Sequence, residues 1–247
     1  MPSLADKLAA TEYAIYSSPA HLHPGRFGIF VSIPDFPTRW DANQMFDLRC
    51  KKDQIPDLLS DLETLYKPTG AGFRKLAFHH TATARHLPDT LLFLGWDCRR
   101  HWMMTLDAFP EIPPNPSVAI RTVPFHAAEL ALIYDDPEEL RYRQAQDDRL
   151  AGEALIAEIA GEPAGATGWF LVDGIARFRL IHTVPSHRRR GVAAALIREV
   201  VRRTSDRGIR RLCLHCPEQG PLRLYQSLGF QIRGLLWYCV RELPSTF

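Results

Sequence analysis

The 247-residue sequence has no apolar run approaching the roughly 20 residues that a membrane-crossing helix needs. Its first residues, MPSLADKLAATEY, carry Asp6 and Glu12 and lack the long apolar core of a secretory leader. Surplus charge is nearly absent: 30 Lys and Arg face 28 Asp and Glu, a formal balance of +2, so no global attraction to nucleic acid or to a membrane surface follows. Cysteine is scarce and odd in number. Cys50, Cys98, Cys213, Cys216 and Cys239 are scattered without the spacing of a disulfide framework. A cytoplasmic protein is the expectation. Hydrophobic residues at 46% and charged residues at 23% are ordinary for a globular chain, and the length allows one large domain or two small ones.

The residues present divide the chain into short elements. Residues 1–26 are mixed, interrupted by Pro19, Pro24 and Gly25. FGIFVSI (27–33) reads as a strand, and IPDLLSDLETLY (55–66) as a helix with Leu58, Leu59, Leu62 and Leu65 at helical spacing after Pro56. FRKLAFH (73–79) and HWMMTL (101–106) read as strands, with a helix between them that Pro88 opens. FPEIPPNPS (109–117) is the clearest linker, because its prolines remove the donors a sheet ladder needs. The expected domains are therefore 1–109 and 117–247.

In the second domain, VAIRTVP (118–124) is a strand, followed by an acidic, helical stretch through Ala151. EALIAEIAG and ATGWFLVDG form a hairpin around Glu162 to Gly165. A strand at 175–184, a helix from Gly191 to about Arg203 with Ala194, Ile197, Val200 and Val201 on one face, a strand RLCLHC, a helix PLRLYQSLG and a last strand complete it. This order argues for an α/β domain around a mostly antiparallel, mixed sheet.

A repeat links the two halves. Gly72-Phe-Arg-Lys-Leu-Ala-Phe-His79 resembles Gly208-Ile-Arg-Arg-Leu-Cys-Leu-His215 at an offset of 136 residues, and Leu94-Gly95-Trp96 resembles Leu228-Gly229-Phe230 at 134. Two matches in order at nearly one offset indicate related domains in tandem, the first one reduced.

The most informative stretch is His182-Thr-Val-Pro185-Ser-His-Arg188-Arg-Arg-Gly191-Val-Ala193. A strand ends at Pro185 and a helix begins with small residues. Its first turn offers unpaired N–H groups and the positive end of the macrodipole, while Gly191 and Ala193 leave the backbone approachable. Arg188, Arg189 and Arg190 add cationic donors suited to phosphate. The pattern asks for a ligand with a di- or polyphosphate.

Arg188-x-x-Gly191-x-Ala193, three residues after Pro185 and followed by Leu224-Tyr225-x-x-x-Gly229-Phe230, is similar to the acyl-CoA signature of the GNAT superfamily of N-acetyltransferases. The resemblance covers roughly the last 130 residues well and residues 28–107 only through the repeat. It implies the GNAT-like α/β (α+β) fold in two tandem related domains, with a degenerate copy at 1–109 and a catalytic domain at 117–247. It implies direct acyl transfer, acetyl or another short group, from acetyl-CoA to an amine in a ternary complex. It also implies that Thr183, Val184, Arg188, Arg189, Arg190, Gly191, Val192, Ala193 and Ala194 bind the donor. The Val184 N–H becomes the expected donor to the acyl oxygen. Tyr225 becomes the acid that protonates the departing thiolate, the alternative being a packing role with a hydrogen bond to the sulfur. For the general base, His182 stands beside a water relay to Glu218 or another carboxylate. In the first copy the phosphate loop aligns with Lys52 to Asp57, without glycine, and Tyr225 aligns with Leu91, so CoA binding is not expected there.

Other patterns carry less. Cys213-Leu-His-Cys216 has metal spacing but no second pair, and reads as a buried strand. His79, His80 and His86 could suggest a metal cluster, yet His79 stands at the place of His215, which favours a shared structural role; no metal is expected. The Arg series from 188 to 211 lacks the interleaved aromatics of a nucleic-acid surface. Asp135, Asp136, Glu138, Glu139, Asp147 and Asp148 are candidates to attract a cationic acceptor. Neither the acceptor nor the oligomeric state is legible, and a non-catalytic acyl-CoA-binding or protein-interaction module of the same fold is the rival reading.

Overall fold

The computed structural model describes residues 2–16, 21–109, 111–124, 127, 129, 130, 133, 138, 141, 142 and 152–243. In chain order the elements are α1 (Leu4–Tyr16), β1 (Leu22–Pro24), β2 (Ile29–Ser32), β3 (Asn43–Phe46), α2 (Ile55–Tyr66), β4 (Phe73–Phe78), α3 (Thr81–Ala84), α4 (Leu87–Phe93) and β5 (Asp97–Leu106). They continue with β6 (Ala119–Val123), β7 (Gly152–Ile159), β8 (Glu162–Val172), β9 (Ile175–Thr183), α5 (Val192–Asp206), β10 (Leu212–Pro217), α6 (Leu222–Ser227) and β11 (Gln231–Glu242). No described helix is long and apolar enough to cross a membrane.

The chain forms two compact units, and neither is one contiguous stretch. One comprises Met1–Met103, His215–Gly220 and Arg233–Phe247; the other comprises Met104–Leu214 and Pro221–Ile232. In the first, β1, β2, β3 and β4 lie side by side, and β11 joins β4 antiparallel, from Trp237 opposite Phe78 to Glu242 opposite Phe73. The C-terminal strand thus completes a sheet begun by residues some 160 positions earlier, a long-range pairing that linear patterning does not reveal.

In this unit α2 seats Ile55, Leu58, Leu62 and Tyr66 in the core. Each fully buried Leu there stabilises the helix by about 1.5–3 kcal/mol. Leu59 and Leu65, placed on the same stripe by spacing, pack at its margin. Pro88 stands in the first turn of α4, where its missing N–H is harmless. α1 forms within the stretch that looked mixed. Its signal is a capping box at Ser3-x-x-Asp6: Asp6 Oδ2 accepts from the Ser3 N–H at 2.8 Å, and Ser3 Oγ accepts from the Asp6 N–H at 3.2 Å. β5 and β11 bring Cys98 and Cys239 together as a disulfide, with Cα atoms 4.1 Å apart across 141 residues. Spacing along the chain cannot register a bond between neighbouring strands.

In the second unit the order is β10-β9-β8-β7-β6, antiparallel except for the parallel β9–β10 pair. The β7–β8 turn is Ala160-Gly161, both at positive φ (54° and 84°), rather than the Glu162–Gly165 segment. That two-residue geometry follows the strand twist. Glu162 and Pro163 open β8, and Pro163 is accommodated beside a bulge at Ala157/Glu158. α5 buries Val192, Ala195, Leu196, Ile197, Val200, Val201 and Thr204. Ala194, expected on the core face, is only half-buried.

The repeat is visible as register. β3 pairs parallel with β4 through Met45 and Leu76, and β9 pairs parallel with β10 through Ala176 and Leu212. Leu76 and Leu212 are the equivalent residues at the 136-residue offset, and α2 and α5 are the equivalent crossover helices between the paired strands.

Candidate active site

The site begins where β9 ends. Over the described residues β9 pairs β10 only at Ala176 with Leu212 and Arg177 with Cys213, whereas its pairing to β8 continues to Gly165 opposite Thr183. Gly165 is required there: a Cβ would lie 2.5 Å from the His182 carbonyl oxygen and 2.8 Å from Val192 Cγ1. Its bare backbone lets the end of β9 and the start of α5 approach β8 closely.

After Val184 the chain makes one 3-10 turn, Pro185–His187, and then enters α5 through Gly191 (φ 78°, ψ 8°). A left-handed residue suits glycine, since any other residue there is disfavoured by about 1–2 kcal/mol. Arg189 also sits at positive φ, 63°. The loop is latched from the linker: Asn115 Nδ2 donates to the Arg190 carbonyl at 2.9 Å and lies 2.8 Å from where a Gly191 Cβ would stand. The first turn of α5 carries no acidic residue. Its free N–H groups and dipole therefore remain available to an anion.

A cavity of about 560 Å³ opens in front of this helix end, lined by Ile181, His182, Thr183, Arg188, Arg189, Gly191, Val192, Ala193, Ala194, Pro221, Leu224 and Tyr225. It joins most of the residues singled out from the sequence and leaves out two. The Arg190 guanidinium turns to His187 Nδ1 at 3.1 Å, and its carbonyl is held by Asn115. Val184 donates its N–H to the Ala164 carbonyl at 3.0 Å, which corrects the expectation that this amide faces the acyl oxygen. Antiparallel pairs alternate between bonded and non-bonded. With Val184 and Ala164 bonded, Thr183 opposite Gly165 is a non-bonded pair, and its N–H points away from β8.

His182 is held below its ordinary pKa, first by burial and then by the positive charge of Arg188. Tyr225 is buried on α6 and meets the Phe230 ring edge-on, 5.9 Å between centroids. Glu218 does not line the cavity. Its carboxylate takes a two-point ion pair from Arg100, and its N–H donates to the Arg100 carbonyl. Pro221 and Ile181 are lining residues that the sequence reading missed, because apolar side chains carry no chemical signature.

Other candidates resolve as packing or ion pairs. Cys213 and Cys216 are buried thiols outside any disulfide, on opposite faces of β10, as a spacing of three on a strand dictates. In the Arg series, Arg202 pairs Glu199 and Asp206, Arg203 pairs Glu199 and Glu153, Arg207 pairs Glu153, and Arg211 pairs Asp107. Of the acidic residues proposed to attract an acceptor, all but Glu138 lie outside the described residues. In the first copy, Ile55 at φ −58° occupies the position of Gly191, and Leu91, fully buried, that of Tyr225.

The family model for the Acetyltransferase (GNAT) family matches residues 122–230. A functionally unknown conserved protein from Staphylococcus epidermidis is similar in structure, with a TM-score of 0.75 at 13% identity, over 90% of this chain and 93% of that one. A GCN5-related N-acetyltransferase from Kribbella flavida gives 0.72 at 16% identity, over 97% and 96%. A tandem GNAT protein from the clavulanic acid biosynthesis pathway gives 0.61 at 12% identity, over all of this chain and 91% of its own. No curated protein matches the sequence. These likenesses establish the GNAT fold in tandem. The family match assigns residues 122–230, which hold β9, the loop, α5 and α6, to the acetyltransferase (GNAT) family, whose reaction class is acyl transfer.

Proposed function

We propose that the domain at 117–247 transfers an acetyl or other short acyl group from acetyl-CoA to an amine, and that residues 1–109 are a copy that does not bind CoA. The observation that carries this reading is the cavity in which the end of β9, the Gly191 turn, Arg188, Arg189 and Tyr225 meet.

The residues suit the donor. Gly191 has no side chain to fill the cradle, Ala193 and Ala194 are small, and two guanidinium groups flank the free amides of α5. Arg188, Arg189 and the amides of Gly191 to Ala194 would hold the pyrophosphate, with Thr183 and Ile181 along the arm. When bound, acetyl-CoA supplies an acyl carbon open to attack by the amine and a thiolate that leaves. The Thr183 N–H, turned away from β8, would donate to the acyl oxygen as negative charge grows there, a role typically worth about 3 kcal/mol. His182, neutral near pH 7 because of burial and Arg188, accepts the amine's proton at a ring nitrogen. The hydroxyl of Tyr225, which also lines the cavity, would give its proton to the departing thiolate.

Calorimetric titration of acetyl-CoA into wild type and Gly191→Glu tests the reading. One site per chain, lost in the variant, supports it. Two sites would overturn the silent first copy, and no binding would favour a non-catalytic module.

A further inference from the structure

We propose that Asp6, His79 and His80 bind one first-row divalent transition-metal ion, taken here as Zn²⁺. Among the described residues this is the one group of three such side chains whose ligand atoms all lie within 4.8 Å of one another. Asp6 Oδ1 is 2.9 Å from His79 Nε2 and 3.9 Å from His80 Nδ1. Donors on a tetrahedral zinc, with bonds of about 2.0–2.2 Å, lie about 3.4 Å apart, a spacing that these two separations bracket.

The remaining ring nitrogens are held from behind. His80 Nε2 meets Asp47 Oδ1 at 2.6 Å, and His79 Nδ1 meets the Tyr13 hydroxyl at 3.3 Å. A metal-binding histidine is ordinarily oriented in this way, its far nitrogen donating to a carboxylate or another acceptor. Asp47 reaches His80 from a left-handed backbone conformation, φ 54°, one that Asp tolerates better than most residues. Tyr13, stacked on Phe46 at 4.4 Å between centroids, is fixed in turn.

His79 is the most enclosed of the three side chains and Asp6 the most open. The side chains of His79, His80 and Asp6 are 3%, 17% and 34% exposed, and His80 lines a surface cavity of about 320 Å³. Two imidazoles and one carboxylate leave a coordination position for water or an exogenous ligand.

A purely structural histidine explains less. His215, equivalent to His79, pairs with the Glu12 carboxylate, Oε2 at 3.1 Å. Glu12 is further engaged by the hydroxyls of Tyr16 at 2.8 Å and Tyr238 at 2.6 Å. The residue after His215 is Cys216, whereas the residue after His79 is a second histidine with a carboxylate of its own.

The test is titration of ZnCl₂ into the metal-stripped full chain by calorimetry, with Co²⁺ absorption reporting the ligand field. Wild type should bind one ion per chain. His80→Ala should abolish that binding, and Asp47→Asn should weaken it about 10–100-fold. His79→Ala, at the more buried position, is read only if circular dichroism shows it folded, and Asp6→Asn replaces it otherwise. No saturable binding by wild type, or unchanged affinity in folded His80→Ala, would overturn the proposal. Zn²⁺ should also raise the thermal midpoint of wild type and leave that of His80→Ala unmoved.

Discussion

The amide of Val184 donates to the carbonyl of Ala164 at 3.0 Å, which turns the amide of its neighbour Thr183 the other way. One hydrogen bond thus decides which backbone donor can serve the reaction. Replacing the Thr183 amide by an ester should lower kcat by about 10²–10³-fold, as loss of an oxyanion donor does. The same exchange at Val184 should reduce stability and leave kcat largely intact. Stopped-turnover kinetics and thermal melts on the two semisynthetic proteins compare the positions directly, and equal kcat losses would contradict the assignment.

Tyr225 lies in the cavity wall with its ring set by Phe230. Tyr225→Phe keeps that packing and removes only the hydroxyl. The expected result is a kcat lowered about 10²-fold with acetyl-CoA affinity unchanged in calorimetry. An unaltered kcat would assign Tyr225 to packing.

His182 should set the acidic limb of the pH profile. Its pKa is depressed by burial first and by Arg188 second, so the neutral form persists to lower pH than in a free histidine. The kcat/KM limb in wild type therefore lies at lower pH than an unperturbed histidine would set. Removing the positive charge in Arg188→Gln makes protonation easier, and the limb should move upward in pH. His182→Gln should lose the limb altogether. A limb that ignores both substitutions would point to a different base.

Asn115 ties the linker to the loop before α5 by one hydrogen bond to the Arg190 carbonyl. Such a bond is worth about 1 kcal/mol, so Asn115→Ala should weaken acetyl-CoA about fivefold. The Gly191 turn itself should survive, because the left-handed conformation belongs to glycine rather than to the latch. Binding calorimetry alongside kcat at saturating donor measures this, and a collapse of kcat would show that the latch also positions the reacting groups.

What could be read from the linear sequence was local. Helical spacing from Ile55 to Tyr66, the proline opening α4 and the glycine opening α5 are decided within a few residues, by side-chain period and backbone sterics. The loop between β9 and α5 was legible for the same reason, since a strand end, a short loop and a helix start are contiguous. The repeat was legible because two copies share one pattern at nearly one offset. Tertiary structure alone decided the rest. β11 completes a sheet in the first unit, and Cys98 meets Cys239, because strand partners carry no mark of sequence separation. Which of two adjacent amides faces the cavity depends on register parity, and a shift of one residue reverses it. Asp6, His79, His80 and Asp47 come together because a helix, a strand end and a turn converge, and each residue alone is an ordinary polar side chain.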